Sequence, residues 1–346
     1  MNTAHGTVSQ QNRAVIRLDH IRKNARLLRA KAHTELCAVV KADGYGHGAA
    51  EVARALSGVA RMFAVALVEE GAALRLSCPS DILVLVPPLS EEEAMRGICC
   101  GLIFSVGDAA DAALLSRAAQ KLGQTARCHL KVNTGMNRFG FDLSDFSAFC
   151  RSAKPKRLRI EGIYSHFYKP HGAAETQAQF RKFQVFCHLA ESEFGALTKH
   201  IAATGGILAS CEYALDMVRP GIGLYGYLPE GFRGALPLKK AMRVYANAVC
   251  CRRYAGGGAG YGAYAGGRGD WLSAVRCGYA DGFFRSGGEG VVNSLCMDAC
   301  LYAEKLEKYG EVCVLSDADE YAGKHGTISY EVLAGAGRRA VRIYVG

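Results

Sequence analysis

No stretch of this 346-residue chain stays apolar for long. The longest such runs, for example Asp81-Ile82-Leu83-Val84-Leu85-Val86-Pro87-Pro88, fall far short of the roughly 20 residues that cross a bilayer, so no membrane partner is expected. Met1–Gly6 has neither a basic region nor an apolar core, and a secretory signal is not expected there. Cys-x-x-Cys and His-Glu-x-x-His, spacings that commonly hold zinc, are also missing, so no metal is expected. The fourteen cysteines include adjacent pairs (Cys99-Cys100 and Cys250-Cys251), and many sit inside apolar runs, where buried thiols usually lie. That argues against a disulfide framework and for reduced thiols in a cytoplasm. The net charge is +10, but the short clusters Lys154-Pro155-Lys156-Arg157 and Arg338-Arg339 are not interleaved with aromatics as a base-stacking platform would be. Nucleic acid is therefore not expected. The charge reads as a solvated basic face, and it suits a phosphate-bearing ligand equally well.

Half the residues are hydrophobic, enough for an ample core, and the length suggests two domains. From about residue 13 to 226, short β-branched runs alternate with helical ones. The strand candidates are 14–18, 36–42, 62–67, 81–86, 102–106, 127–132, 158–164, 199–203 and 217–221. Helices are expected over 20–32, 49–56, 90–99, 108–122 and 174–194. Repeated strand–helix units require a parallel sheet, and about eight of them predict a closed (β/α)8 TIM-like barrel over residues 1–229. Beyond Pro229 the helical periodicity fades, and glycine, tyrosine and short strands predict a mostly β domain over 230–346.

Leu36-Cys37-Ala38-Val39-Val40 reads as a buried strand and Asp43-Gly44-Tyr45-Gly46-His47-Gly48 as a turn. Lys41 thus stands where a barrel strand meets its βα loop, the end at which barrels carry chemistry. A lysine against apolar surface has its pKa lowered, which frees the amine for Schiff-base formation. A strand-end lysine by itself is usually only a solvated charge. Its neighbours change that balance: Val40-Lys41-Ala42-Asp43-Gly44-Tyr45-Gly46-His47-Gly48 closely resembles the cofactor-lysine signature of the alanine racemases. The resemblance runs to the C-terminus and implies a barrel that binds pyridoxal 5′-phosphate through Lys41, followed by a β domain.

Further segments resemble the same family in order. Lys131-Val132-Asn133-Thr134-Gly135-Met136-Asn137-Arg138 implies that Arg138 contacts cofactor and substrate carboxylate, and that Lys131 is the lysine some members carbamylate; Asn133 replaces the usual aspartate. Ser165-His166 implies a histidine against the pyridine ring. Asp216-Met217-Val218-Arg219-Pro220-Gly221-Ile222 implies that Arg219 bonds the pyridine nitrogen and, since an arginine keeps its protons, leaves that nitrogen largely unprotonated. Thr204, Gly221 and Ile222 match phosphate-binding positions, and Tyr45 is a further phosphate contact by resemblance.

In the second domain, Gly258-Ala259-Gly260-Tyr261-Gly262-Ala263 fits the spacing of a dinucleotide fingerprint, but the following Tyr264-Ala265-Gly266-Gly267 cannot start a convincing helix. The segment instead resembles the family's Ser-Tyr-Gly. That makes Tyr261 the second acid–base residue, acting in a partner subunit's site, so that a homodimer with shared sites is implied. Tyr279 and Cys296-Met297-Asp298 match a substrate-entrance tyrosine and substrate-binding residues. The implied reaction is interconversion of L- and D-alanine by a Lys/Tyr two-base mechanism, supplying D-amino acid for cell-wall peptide. Arg338 stands where several alanine-specific members have tyrosine, so serine racemisation is an alternative; a fold-related decarboxylase and a non-catalytic cofactor carrier are further ones.

Overall fold

A computed structural model describes residues 12–152, 155–288 and 290–346. Met1–Gly6 and Lys154 of the basic cluster lie outside the described residues. The chain divides into two compact units: residues 19–44 with 49–239, and the described residues before Asp19 with 45–48 and 240–346. The first strand, β1 (Arg13–Arg17), belongs to the second unit.

In the first unit eight strands form one parallel sheet: β2 (Glu35–Val39), β3 (Met62–Val65), β4 (Asp81–Val84), β5 (Ile103–Val106), β6 (Ala126–Lys131), β7 (Leu158–Tyr164), β8 (Thr198–His200) and β9 (Met217–Val218). The neighbours run in sequence from β2 to β8, and β9 pairs on the far side of β2 through Glu35 and Met217. Arg219 N donates to Ala202 O at 2.8 Å and Asp216 N to Lys199 O at 3.2 Å, which closes the ring beside β8. All four residues of β3 and of β5 are buried, as a parallel sheet covered on both faces requires. The helices between strands start at sequence-encoded caps. Ser90 accepts from Glu93 N at 3.2 Å and Asp108 from Asp111 N at 2.7 Å, while Gly123 at φ +67° ends the second of these helices. Among the described residues no helix is long and apolar enough to cross a membrane.

The second unit holds a six-stranded sheet built on β10 (Met242–Arg253), with β13 (Trp271–Val275), β14 (Cys300–Tyr302), β15 (Glu311–Leu315), β16 (Val341–Val345) and β1. The short strands β11 (Gly258–Ala259) and β12 (Gly262–Ala263) form a separate hairpin. Here the structure corrects one expectation. Residues 14–18 are expected in the barrel, but β1 pairs antiparallel with β10 and parallel with β16. Its burial alternates, with Ala14 and Ile16 inward, which is the pattern of a sheet with one covered face rather than of a barrel strand. The first unit, as a compact body, extends to Lys239. Asn24, buried on the helix Leu18–Ala32, accounts for the extension: its amide donates to Lys239 O at 2.8 Å and its oxygen accepts from Lys239 N at 2.8 Å.

Candidate active site

β2 ends against its neighbour, with Val40 N donating to Ala64 O at 2.8 Å, and Lys41 follows. The backbone then turns left-handed: Ala42 (φ 51°, ψ 49°), Asp43 (50°, 51°) and Gly44 (66°, 40°) occupy the region that L-residues avoid. Glu70 anchors this turn. Its Oε1 accepts from Ala42 N at 2.7 Å and its Oε2 from Ala66 N at 2.7 Å, while Asp43 Oδ1 accepts from Ala49 N at 2.8 Å. Lys41 is thereby aimed by strained backbone tied at both ends. Burial lowers its pKa, the Arg138 guanidinium lowers it further, and the Glu70 carboxylate opposes both.

Lys131 ends β6 and is 7 % exposed. Its pKa falls well below the lysine range, through burial first and then through Arg219 and Arg138. Its Nζ stands 4.8 Å from the Tyr164 ring centre, and the Arg219 guanidinium carbon 5.0 Å from the same ring. Arg138 is exposed on the loop after β6. Asn133 organises that loop: its oxygen accepts from Gly135 N and Asn137 N, both at 3.1 Å, and its amide donates to Asn137 Oδ1 and Asp142 Oδ1, both at 2.9 Å. Lys131, Asn133 and Arg138 line a cleft of about 600 Å³ at this end of the barrel.

His166 lies two residues past the end of β7. Its pKa is pushed well below the imidazole range by burial and then by Arg219, Lys131, Arg138 and Lys41. That single environment gathers five of the expected site residues at the C-terminal ends of β2, β6, β7 and β9. Arg219 is 3 % exposed and donates to Ser165 O at 2.6 Å, Ile201 O at 3.3 Å and His200 Nδ1 at 2.7 Å. An arginine only donates, so His200 Nδ1 must accept and its proton sits on Nε2. That proton is directed at His129 Nδ1, 2.8 Å away. Burial keeps both rings neutral: His129 is lowered to about 4, and His200 lies well below its ordinary range. Tyr164 stacks flat on His200 with ring centres 5.0 Å apart, and its hydroxyl meets Ser105 Oγ at 2.5 Å. Sequence reasoning missed Glu70, His129, Tyr164 and His200; a histidine or tyrosine among the last three residues of a parallel barrel strand is the signal that marks the last three.

Thr204 Oγ1 accepts from Gly223 N at 3.2 Å, so the start of the helix Thr204–Ala209 and the turn Ile222–Tyr225 meet. Thr204, Gly221 and Ile222 are thus brought together, and a Cβ at Gly223 would stand 2.8 Å from Thr204 Cγ2. Tyr45 belongs to the second unit, where it is buried with its ring 6.1 Å from that of Tyr330, and burial raises its pKa. In the same unit Tyr261 is 80 % exposed at the tip of the β11–β12 hairpin. Gly260 at φ +63° supplies the first central residue of that two-residue turn, as a type II′ hairpin needs. Tyr279 and Met297 are also exposed and lie on adjoining segments, with Tyr279 N donating to Cys296 O at 3.1 Å and Ala280 N to Met297 O at 3.0 Å. Asp298 accepts from Arg339 at 2.7 Å.

The barrel donor set fits a phosphorylated carbonyl compound. It offers an amine of depressed pKa, two guanidinium groups, a hydroxyl, and backbone N–H groups beside glycines. Comparison with known proteins agrees. Residues 16–229 match the family description "Alanine racemase, N-terminal domain" and residues 241–344 "Alanine racemase, C-terminal domain". The chain is similar to the alanine racemase of Desulfovibrio desulfuricans, 34% identical over 364 residues, with 96% of this chain and 97% of the relative covered. Among solved structures it is similar to the alanine racemase of Streptomyces lavendulae (TM-score 0.89, 29% identity, 98% of each chain covered). It is also similar to that of Bartonella henselae with covalently bound pyridoxal phosphate (TM-score 0.82, 25% identity, 98% of this chain and 100% of that one).

Proposed function

Because the chain belongs to the alanine racemase family, we propose that it interconverts L- and D-alanine with Lys41 and Tyr261 as the two acid–base groups. Pyridoxal 5′-phosphate is the cofactor, and when bound it supplies the electron sink that makes the substrate Cα–H acidic. The observation that carries this reading is Lys41: an amine of lowered pKa, aimed by a strained left-handed turn beside Arg138. Lys41 would hold the cofactor's carbonyl carbon, and Thr204 Oγ1 with the N–H groups of Gly221 and Ile222 would hold its phosphate, to which the family resemblance adds the Tyr45 hydroxyl. His166 would lie against its ring.

Arg219 would face the ring nitrogen as a donor that gives up no proton, which would keep the sink moderate and restrain side reactions. Its hold on Ser165 O and His200 fixes that orientation. Arg138 takes the substrate carboxylate through a planar pair of donors. Lys131, whose pKa is lowered by burial and then by Arg219 and Arg138, is the amine on which a carbamate orienting Arg138 would form. Inversion at Cα needs a proton removed from one face and another delivered to the opposite one. Lys41 serves one face and Tyr261, from the partner subunit of a homodimer, the other; Tyr279 and Met297 border the substrate. A cytoplasmic enzyme of this kind supplies D-alanine for cell-wall peptide.

The serine alternative drawn from Arg338 is not favoured, since the relatives compared are alanine racemases. Incubating the purified enzyme with separate L-amino acids, while following chirality and carbon dioxide, tests the substrate. Alanine racemises on this reading, and carbon dioxide release would point to a decarboxylase instead. Lys41→Ala abolishes both the cofactor's visible absorbance and turnover. Tyr261→Phe keeps the absorbance and loses turnover by a factor of about 100 or more, the size of a lost general acid–base group; undiminished racemisation would remove Tyr261 from the mechanism.

A further inference from the structure

Three segments of the second unit meet at one guanidinium. The Arg339 fork grips Asp281, with Nε on Oδ1 at 3.0 Å and Nη2 on Oδ2 at 2.8 Å. The remaining edge, Nη1, donates to Asp298 Oδ1 at 2.7 Å. Asp281 is 3 % exposed, and its other acceptor sites are also taken: Gly278 N donates to Oδ2 at 2.9 Å and the Asn12 amide to Oδ1 at 3.4 Å. The Asp281 carbonyl accepts from Arg338 N at 3.2 Å. The fit between the segments leaves no slack. A Cβ at Gly278 would overlap the carbonyl of Met297, and one at Gly282 (φ +92°) the carbonyl of Gly335. The Tyr279 and Met297 side chains therefore project, 39 % and 54 % exposed, from backbone that is tied down on every side.

We propose that Arg339 is a positioning residue that fixes the Tyr279 turn and the Met297–Asp298 loop as one rigid substrate-facing edge, and that Asp298 acts through Arg339 rather than on substrate. The proposal rests on the reading that Tyr279 and Met297 border the substrate. Asp298 had been expected among the substrate contacts, but its carboxylate is engaged by the guanidinium. Lysine does not substitute for this contact, because a point charge cannot fork one carboxylate and bridge to a second with its other edge. Arg339 is half-exposed but Asp281 is buried, so loss of the guanidinium leaves a buried carboxylate without its counter-charge and is expected to lower the melting temperature. Its contribution to geometry is read separately, in substrate binding and in local opening at the Tyr279 turn.

The full-length holoenzyme carrying Arg339→Gln, Arg339→Lys, Asp298→Ala and the double Arg339→Gln/Asp298→Ala tests this. Arg339→Gln and Arg339→Lys speed amide exchange at Tyr279 and Ala280, whose N–H groups bond the facing loop. Arg339→Gln raises KM for alanine about tenfold with kcat within about twofold, Asp298→Ala raises it about threefold, and the double variant is no worse than Arg339→Gln, as expected of two residues in one contact network. Additive effects would mean that Asp298 acts on substrate directly. Unchanged exchange in both Arg339 variants would overturn the clamp. Should Arg339→Gln fail to fold, Arg339→Lys and Asp298→Ala give the same exchange comparison. If instead Tyr279→Phe and Met297→Ala leave KM unaltered while exchange still accelerates in the Arg339 variants, the substrate-facing reading fails and the clamp stands.

Discussion

Asn133 shows how a single side chain is tuned to its neighbour. It stands where the family usually has aspartate, a change that by itself suggests only weaker local charge. In the structure its amide donates to Asp142, the residue before the helix Leu143–Arg151, and its oxygen gathers the backbone of the Arg138 loop. Aspartate at 133 would set two carboxylates face to face. Asn133→Asp is therefore expected to destabilise the protein by about 1 kcal/mol at neutral pH, in line with like charges placed directly opposite, and to raise KM for alanine. The sign with pH follows. Repulsion raises a carboxyl pKa in the folded state, so the deficit is absent at low pH and grows as pH rises through the carboxylate range. Adding Asp142→Asn restores a carboxylate–amide pair of reversed polarity and should recover most of the loss; thermal melts of the cycle decide it, and no recovery would mean that Asn133 acts through other contacts. At this scale the sequence revealed residues that sit in local motifs, Lys41, Arg138, His166 and Arg219 among them. It could not reveal Asp142 as the partner of Asn133, or Glu70 as the anchor of Ala42, because a motif names a residue without naming what the fold folds back against it.

The left-handed turn after β2 is the element on which the site depends. Ala42 and Asp43 hold conformations that cost L-residues roughly 1–2 kcal/mol each. They persist because Glu70 and the helix beginning at Ala49 absorb their donors and acceptors. Ala42→Gly should relieve strain and stabilise the protein by about 1 kcal/mol while slackening Lys41 and lowering kcat, a trade of activity for stability. A melt that does not rise, or a rise with undiminished kcat, would argue that the turn stores no useful strain. Asp43→Ala removes a cap from the helix Ala49–Ala55 and should cost about 1 kcal/mol. Gly-rich turn chemistry after the strand was legible in the sequence; its left-handedness was not, since alanine and aspartate give no local reason for it. Strands β2, β3 and β4 were legible because burial on both faces writes a nearly continuous apolar run. β1 was not, because five residues of alternating burial leading straight into a helix mimic the start of a βα unit.

Across the whole molecule, the groups that build the site also set how stability depends on pH. His129 is lowered from 6.5 to about 4 by burial, and His166 and His200 are lowered well below their ordinary range, with Arg219 adding to the burial in both. Each is neutral when folded and protonates more readily when unfolded. The unfolded chain therefore binds more protons as pH falls from about 6.5, and stability present above that value is lost progressively towards pH 4. His129 alone accounts for roughly 3 kcal/mol over that window, using about 1.36 kcal/mol per unit. Lys131 acts with the same sign at the other end. Its lowered pKa means that the unfolded chain again holds the extra proton, but the buried thiols of Cys37, Cys128, Cys187, Cys277 and Cys300, raised by burial, act with the opposite sign, so the gain from Lys131 is offset as pH rises into the thiol range. The stability maximum is therefore expected on the alkaline side of neutrality, with acid unfolding beginning only slightly below pH 6.5. His129→Gln tests the assignment: an amide oxygen still accepts from His200 but does not titrate, so urea melts between pH 4 and 6.5 should show a shallower fall and a lower acid midpoint than the parent. A parallel slope in the two proteins would mean that the acid sensitivity arises elsewhere, and that the His129–His200–Arg219 line contributes orientation alone.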